Sequence, residues 1–148
     1  MKTYIGTKVI QARPMKRGEY NEYRGWTIPA DENPEDEGYL VKYPGGYESW
    51  SPADVFEEAY RENGRMNFGL ALEAVKKGLR IARTGWNGKG QWVELGRDIC
   101  YRHEADPTMM AFHEDIGSQA LVFCGTRGRQ VGWLASQSDM LAEDWMIL

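Results

Sequence analysis

The sequence predicts an α+β fold: a small antiparallel sheet packed with one amphipathic helix in the C-terminal part, preceded by a small β-rich module with a short helix. Three observations predict it. One stretch has clear helical apolar spacing, with Phe68, Ala71, Leu72 and Val75 at offsets of three and four. Elsewhere the apolar residues alternate in short runs separated by proline and glycine, which is the signature of antiparallel strands. Ten of the eighteen aromatic residues lie in the first 60 residues, enough to fill a small core of their own. Glu62-Asn63-Gly64-Arg65 reads as the boundary, so modules are expected at 1–63 and 66–148.

Taken in order, residues 3–10 alternate loosely and read as a strand, and Ala12 to Met15 as a strand end, because the residue before Pro14 is biased to extended backbone. The following segment to Trp26 reads as turn-like, and the acidic, proline-containing stretch from Ile28 to Tyr39 as a loop. Residues 39–50 form a hairpin turning at Pro44-Gly45-Gly46. Ser51 as N-cap and Pro52 at the first helical position open a short helix with Val55, Phe56, Ala59 and Tyr60 on its apolar face, ending near Asn63-Gly64. Asn67 caps the main helix, which runs from Phe68 to Lys77 and stops at Gly78. Strands follow at Leu79–Arg83, Gln91–Leu95, Ala120–Cys124, Gln130–Leu134 and Trp145–Ile147, with an irregular excursion between Gly96 and Gly117. Ser136 or Ser138 caps one turn around Met140.

Composition narrows the function. The net charge of −4 is carried by residues 1–63, which hold 8 Lys/Arg against 12 Asp/Glu, while residues 64–148 hold 10 of each. That balance argues against DNA, RNA or anionic membrane as a partner, since each needs a basic surface. Without a basic, apolar leader or a long apolar run, a soluble protein is expected. Cys100 and Cys124 are too few for a disulfide framework and read as free thiols. Cys100, His103, His113 and Cys124 lack the paired spacing of a zinc site, and no nucleophile, base and acid fall into a catalytic pattern. No catalytic residue, metal or cofactor is expected.

Two stretches carry binding chemistry. In Arg83-Thr84-Gly85-Trp86-Asn87-Gly88-Lys89-Gly90, three glycines let the backbone approach a ligand, while Trp86 can stack, Asn87 can pair a base edge or ribose, and Lys89 can meet a phosphate. Asn-Gly is also a hairpin signal, so on residue types alone Trp86 reads first as a core residue beside a turn and only second as a ligand contact. The second stretch, Ser136-Gln137-Ser138-Asp139 between Trp133 and Trp145, offers many hydrogen-bonding groups, although taken alone it reads first as a helix cap.

Together, MNFGLALEAVKKGLRIARTGWNGKGQW and WLASQSDMLAEDWMIL closely resemble the second type of phage Thoeris anti-defence protein, over residues 66–148. The resemblance implies a non-enzymatic sponge, acting in the cytoplasm of the infected bacterium, that holds cyclic ADP-ribose-type signals, and in some members cyclic oligonucleotides, unaltered. It implies a homotetramer with pockets between subunits. It also implies ligand contacts from Phe68, Arg83, Trp86, Asn87 and Lys89 in the first motif and from Ser136, Gln137, Ser138 and Asp139 in the second. A competing expectation is a phage structural or adaptor protein that docks a partner through its aromatic N-terminal module.

Overall fold

The computed structural model describes residues 1–86, 90–112 and 114–148. The chain divides into two compact units, Met1–Arg61 and Glu62–Leu148, and the class is α+β.

Unit 1 is a three-stranded antiparallel sheet, ordered β1 (Gln11–Pro14), β2 (Gly38–Lys42), β3 (Glu48–Pro52), with helices α1 (Arg17–Arg24) and α2 (Ala53–Ala59). The hairpin is as expected, with Leu40 opposite Trp50. Residues 3–10 are not a strand: regular structure begins at Gln11, where each residue faces one of β2. The segment read as turn-like holds α1, whose apolar spacing is hidden among Arg, Glu and Asn. A local frame compensates, as the Lys16 backbone N–H donates to the Glu19 carboxylate at 2.8 Å and Gly25 ends the helix at φ 69°. Helix α2 starts later and stops earlier than expected. Pro52, not Ser51, is its N-cap, and Tyr60 leaves the helix with extended backbone. Met15, Tyr20 and Leu40 form the buried cluster, with Trp50 packed on it and donating from Nε1 to the Met15 carbonyl at 2.7 Å.

Unit 2 carries helix α3 (Phe68–Lys76) on a five-stranded antiparallel sheet. The spatial order is β10 (Trp145–Ile147), β4 (Ile81–Arg83), β5 (Trp92–Gly96), β8 (Ala120–Gly125), β9 (Gly128–Val131). Asn67 accepts from the Leu70 N–H at 2.9 Å, the cap expected of it, and Gly78 takes φ 87° just past the helix. Ala71, Ala74 and Val75 of α3 lie on Ile81, Val93 and Trp145 in one buried cluster. Between β5 and β8, the excursion read as irregular contains a separate hairpin, β6 (Cys100–Arg102) with β7 (Met110–Phe112). Strand β9 begins earlier than expected, at Gly128, because the turn between Gly125 and Gly128 is short.

The last strand, β10, lies at the edge of this sheet, yet its Trp145 is wholly buried. The chain itself covers that edge: Met66 bridges to Trp145, and the Asn63 side chain both donates to the Ile147 carbonyl at 2.8 Å and accepts its N–H at 2.6 Å. No second subunit is needed to satisfy it.

Candidate functional site

The two motifs meet across the β4–β10 pair, where Trp145 stands opposite Arg83. Arg83 ends β4, and its guanidinium lies between two carboxylates, Nε donating to Asp144 Oδ1 at 2.8 Å and Nη1 to Asp139 Oδ1 at 2.9 Å. Asp144 Oδ2 also accepts the Gly85 N–H at 2.8 Å and the Thr84 hydroxyl at 3.2 Å. Asp139 is as heavily used. Its Oδ1 accepts the Trp86 indole N–H at 3.2 Å, and its Oδ2 accepts the Ser136 hydroxyl at 2.8 Å and N–H at 3.1 Å.

Burial works against ionising Asp139, but the hydrogen bonds from Arg83, Ser136 and Trp86 outweigh it and hold the carboxyl below its ordinary value. For Asp144 burial is likewise outweighed, by Arg83, the Gly85 N–H and Thr84. Arg83 is pushed up by Asp144 and then Asp139. All three groups are charged at neutral pH.

An aromatic array backs this cluster. The Trp86 ring meets Trp145 at 5.4 Å, Phe123 at 5.7 Å and Trp133 at 6.2 Å between centroids, each edge to face, and Phe68 reaches Trp145 at 5.5 Å. Trp145 also donates from Nε1 to the Asp139 carbonyl at 2.9 Å, which ties the array to the acidic turn. Trp86 is half-buried, so it packs on the core and still presents surface. Ser136 is the N-cap of the short helix α4 (Gln137–Met140), its hydroxyl accepting the Asp139 N–H at 3.1 Å and sharing a hydrogen bond with the Ser138 hydroxyl at 2.9 Å. Gln137 and Ser138 stand exposed on that turn.

The structure thus brings together Arg83, Trp86, Ser136, Ser138 and Asp139, with Phe68 joined through Trp145 and Gln137 beside the cap. Asn87 and Lys89 lie outside the described residues. Sequence reasoning missed Asp144, Trp133 and Trp145 as members of the cluster. The available signal was Asp144 itself, a charge next to the apolar run Trp145–Leu148, where a carboxylate needs a partner. Cys100 lies on β6 and is exposed, whereas Cys124 is buried on β8 and burial raises its thiol.

Residues 66–148 match the family model of a Thoeris anti-defense 2-like domain. A curated relative, Thoeris anti-defense 2 of Bacillus phage SP01, is 35% identical over 88 residues, covering 57% of this chain and 96% of the relative.

Proposed function

Because the chain belongs to the Thoeris anti-defense 2-like family, whose model matches more than half of it, we propose that it is a phage anti-defence sponge that binds cyclic ADP-ribose-type immune signals and holds them without degrading them. The observation that carries the reading is the convergence of the two motifs on one cluster, where Arg83 is bonded to both Asp139 and Asp144. A sponge must hold the free signal below the level its receptor answers to, which calls for nanomolar binding, about −12 kcal/mol, and no turnover. Stacking on aromatic faces and hydrogen bonding from a polar turn supply affinity of that kind without a nucleophile.

In this reading Phe68 and Trp86 supply apolar contact, Asn87 and Ser136–Ser138 hydrogen bonds, and Lys89 the charge for a pyrophosphate, with Arg83 and Asp139 completing the site. Cyclic oligonucleotides are a second candidate ligand class. A homotetramer with pockets shared between subunits, working in the cytoplasm of the infected host, completes the proposal. Among the described residues no helix is long and apolar enough to cross a membrane.

A second reading makes unit 1 a docking module for a phage structural or adaptor role, and the exposure of Tyr23, Trp26 and Tyr47 favours it. One experiment separates the readings. The protein is incubated with cyclic ADP-ribose and removed, then heat-denatured and the liberated molecule assayed. A sponge depletes the solution and returns the signal intact; release of a product refutes sequestration, and a solution that is never depleted leaves the docking reading.

A further inference from the structure

We propose that Asp144, together with Asp139, is a positioning residue for the segment Arg83–Trp86, and that Arg83 is the strut between them rather than a contact for a ligand's phosphates. The proposal rests on the pocket reading above. Its basis is the concentration of bonds on Asp144, which accepts from three consecutive residues, Arg83, Thr84 and Gly85. The Thr84 backbone N–H adds a fourth bond, to the Asp144 carbonyl at 3.1 Å. Asp139 holds the other end of the segment through the Arg83 guanidinium and the Trp86 indole. Residues 83 to 86 are therefore fixed at both ends by two carboxylates from the other motif.

Charge assigns the role of Arg83. Two carboxylates against one guanidinium leave the cluster with a net negative charge, so a phosphate approaching Arg83 would also meet Asp139 and Asp144. The guanidinium's Nε and one Nη are already bonded, and its side chain is only 19% exposed. Attraction for a pyrophosphate has to come from another cation, and Lys89 is the other cation of the stretch Arg83–Gly90. Gly85 fits the same picture, since a Cβ there would stand 2.8 Å from Asp144 Oδ2. The glycine is required by the approach of the carboxylate and not by a left-handed backbone.

The test uses the full chain and two variants. Asp144→Asn removes one charge and keeps a side chain of the same shape; Gly85→Ala keeps every charge and displaces the carboxylate. Amide exchange at Gly85 and the Trp86 indole N–H resonance are read by NMR, and binding of cyclic ADP-ribose by calorimetry at a temperature where each variant is folded. Both variants are expected to exchange faster at Gly85, to shift the Trp86 indole signal and to bind at least about tenfold more weakly. If Arg83 were a phosphate contact, Asp144→Asn would instead tighten binding, because it relieves local negative charge. Tighter binding overturns the proposal, and so does unchanged affinity despite faster exchange, which leaves a purely structural bond. If the wild-type protein does not bind cyclic ADP-ribose, the pocket reading fails by itself. The clasp is then decided by the NMR arm alone: unchanged Gly85 exchange in Asp144→Asn overturns it, and faster exchange with a shifted Trp86 signal upholds it.

Discussion

In unit 2 the largest wholly buried side chain is Trp145, surrounded by Ile81, Val75 and Val93 in a cluster that α3 and the five-stranded sheet share. In unit 1 the buried cluster is Met15, Tyr20 and Leu40, and no residue of α2 is buried. The smaller unit leans on polar ties instead. Arg17 pairs with Glu32 and lies over the Trp50 ring at 4.9 Å, the buried Asn21 donates to the same Glu32 at 3.1 Å, and the Trp50 indole is spent on a backbone carbonyl. The difference follows from size, because a short chain cannot remove enough apolar surface from water and must fasten its loops by side-chain hydrogen bonds. Unit 2 sets the two ion pairs of Arg83 against its aromatic core and leaves Lys76, Arg80 and Arg129 to pair nearer to solvent; in unit 1 the pairs of Lys16 with Glu35 and Glu37 lie in solvent.

The largest effect that would break this comparison is at Trp145. Trp145→Ala should cost ~3–5 kcal/mol, through the cavity and the unpaired Asp139 carbonyl. Urea denaturation followed by circular dichroism measures it, and a loss below about 1 kcal/mol would deny that this indole is the keystone of unit 2. Next comes Asp139→Ala, which leaves Arg83 short of a partner and the Trp86 N–H without an acceptor. A loss of about 3 kcal/mol is expected, since truncating one member of a part-buried pair strands the other. The matching change in unit 1, Glu32→Ala, should lower the melting temperature by less, because Glu32 lies nearer to solvent.

Acid sharpens the contrast. Asp139 and Asp144 titrate below their ordinary value in the folded chain. Their stabilising contribution is therefore complete above the unfolded carboxyl value, about 3.9, and is lost as the pH falls through the depressed native values. A series of melts from neutral pH downward should stay level for this contribution and then drop steeply below that point. Asp144→Asn should drop less steeply over the same range. An identical acid limb in the two proteins would show that Asp144 contributes nothing to it.

How far the sequence could be read follows the same division. Helix α3 was legible because Phe68, Ala71, Leu72 and Val75 keep the helical period, and β8 because Ala120 to Cys124 is an unbroken apolar run too short for a helix. In unit 1, α1 was invisible because Gly18, Tyr20 and Asn21 are its buried residues, and neither a glycine nor an asparagine registers as an apolar position. The N-terminal run Thr3–Ile10 alternates like a strand and does not form one, since alternation states only what a strand could bury. At the candidate site the two motifs were visible as stretches, but Asp144 was not visible as a member of the site. Its meaning depends on Arg83, Thr84 and Gly85, about 60 residues away, and no local period reports a partner at that distance.

A smaller effect concerns the start of α3. Asn67→Ala removes the acceptor of the Leu70 N–H and should cost about 1 kcal/mol, visible as a lower urea midpoint with an unchanged slope. A changed slope would instead mean that the cap limits how much of unit 2 unfolds together.

The smallest effect is expected where unit 1 has its shortest exposed ion pair. Lys16 Nζ lies 2.6 Å from Glu35, closer than Arg83 lies to either of its carboxylates, and Glu35 pushes the ammonium up. Distance alone would rank this pair first. Yet the Lys16 side chain is 39% exposed and that of Glu35 72%, so water and salt screen the attraction, and the order gained by two long side chains offsets the rest. Lys16→Met keeps the apolar stem and removes only the charge. Its melting temperature should lie within about 2 °C of the wild type at any ionic strength, whereas Asp139→Ala should remain several degrees lower even in high salt. A large, salt-sensitive loss in Lys16→Met would reverse the ranking, and would mean that unit 1 is fastened by exposed charge rather than by the Arg17, Asn21 and Trp50 side chains.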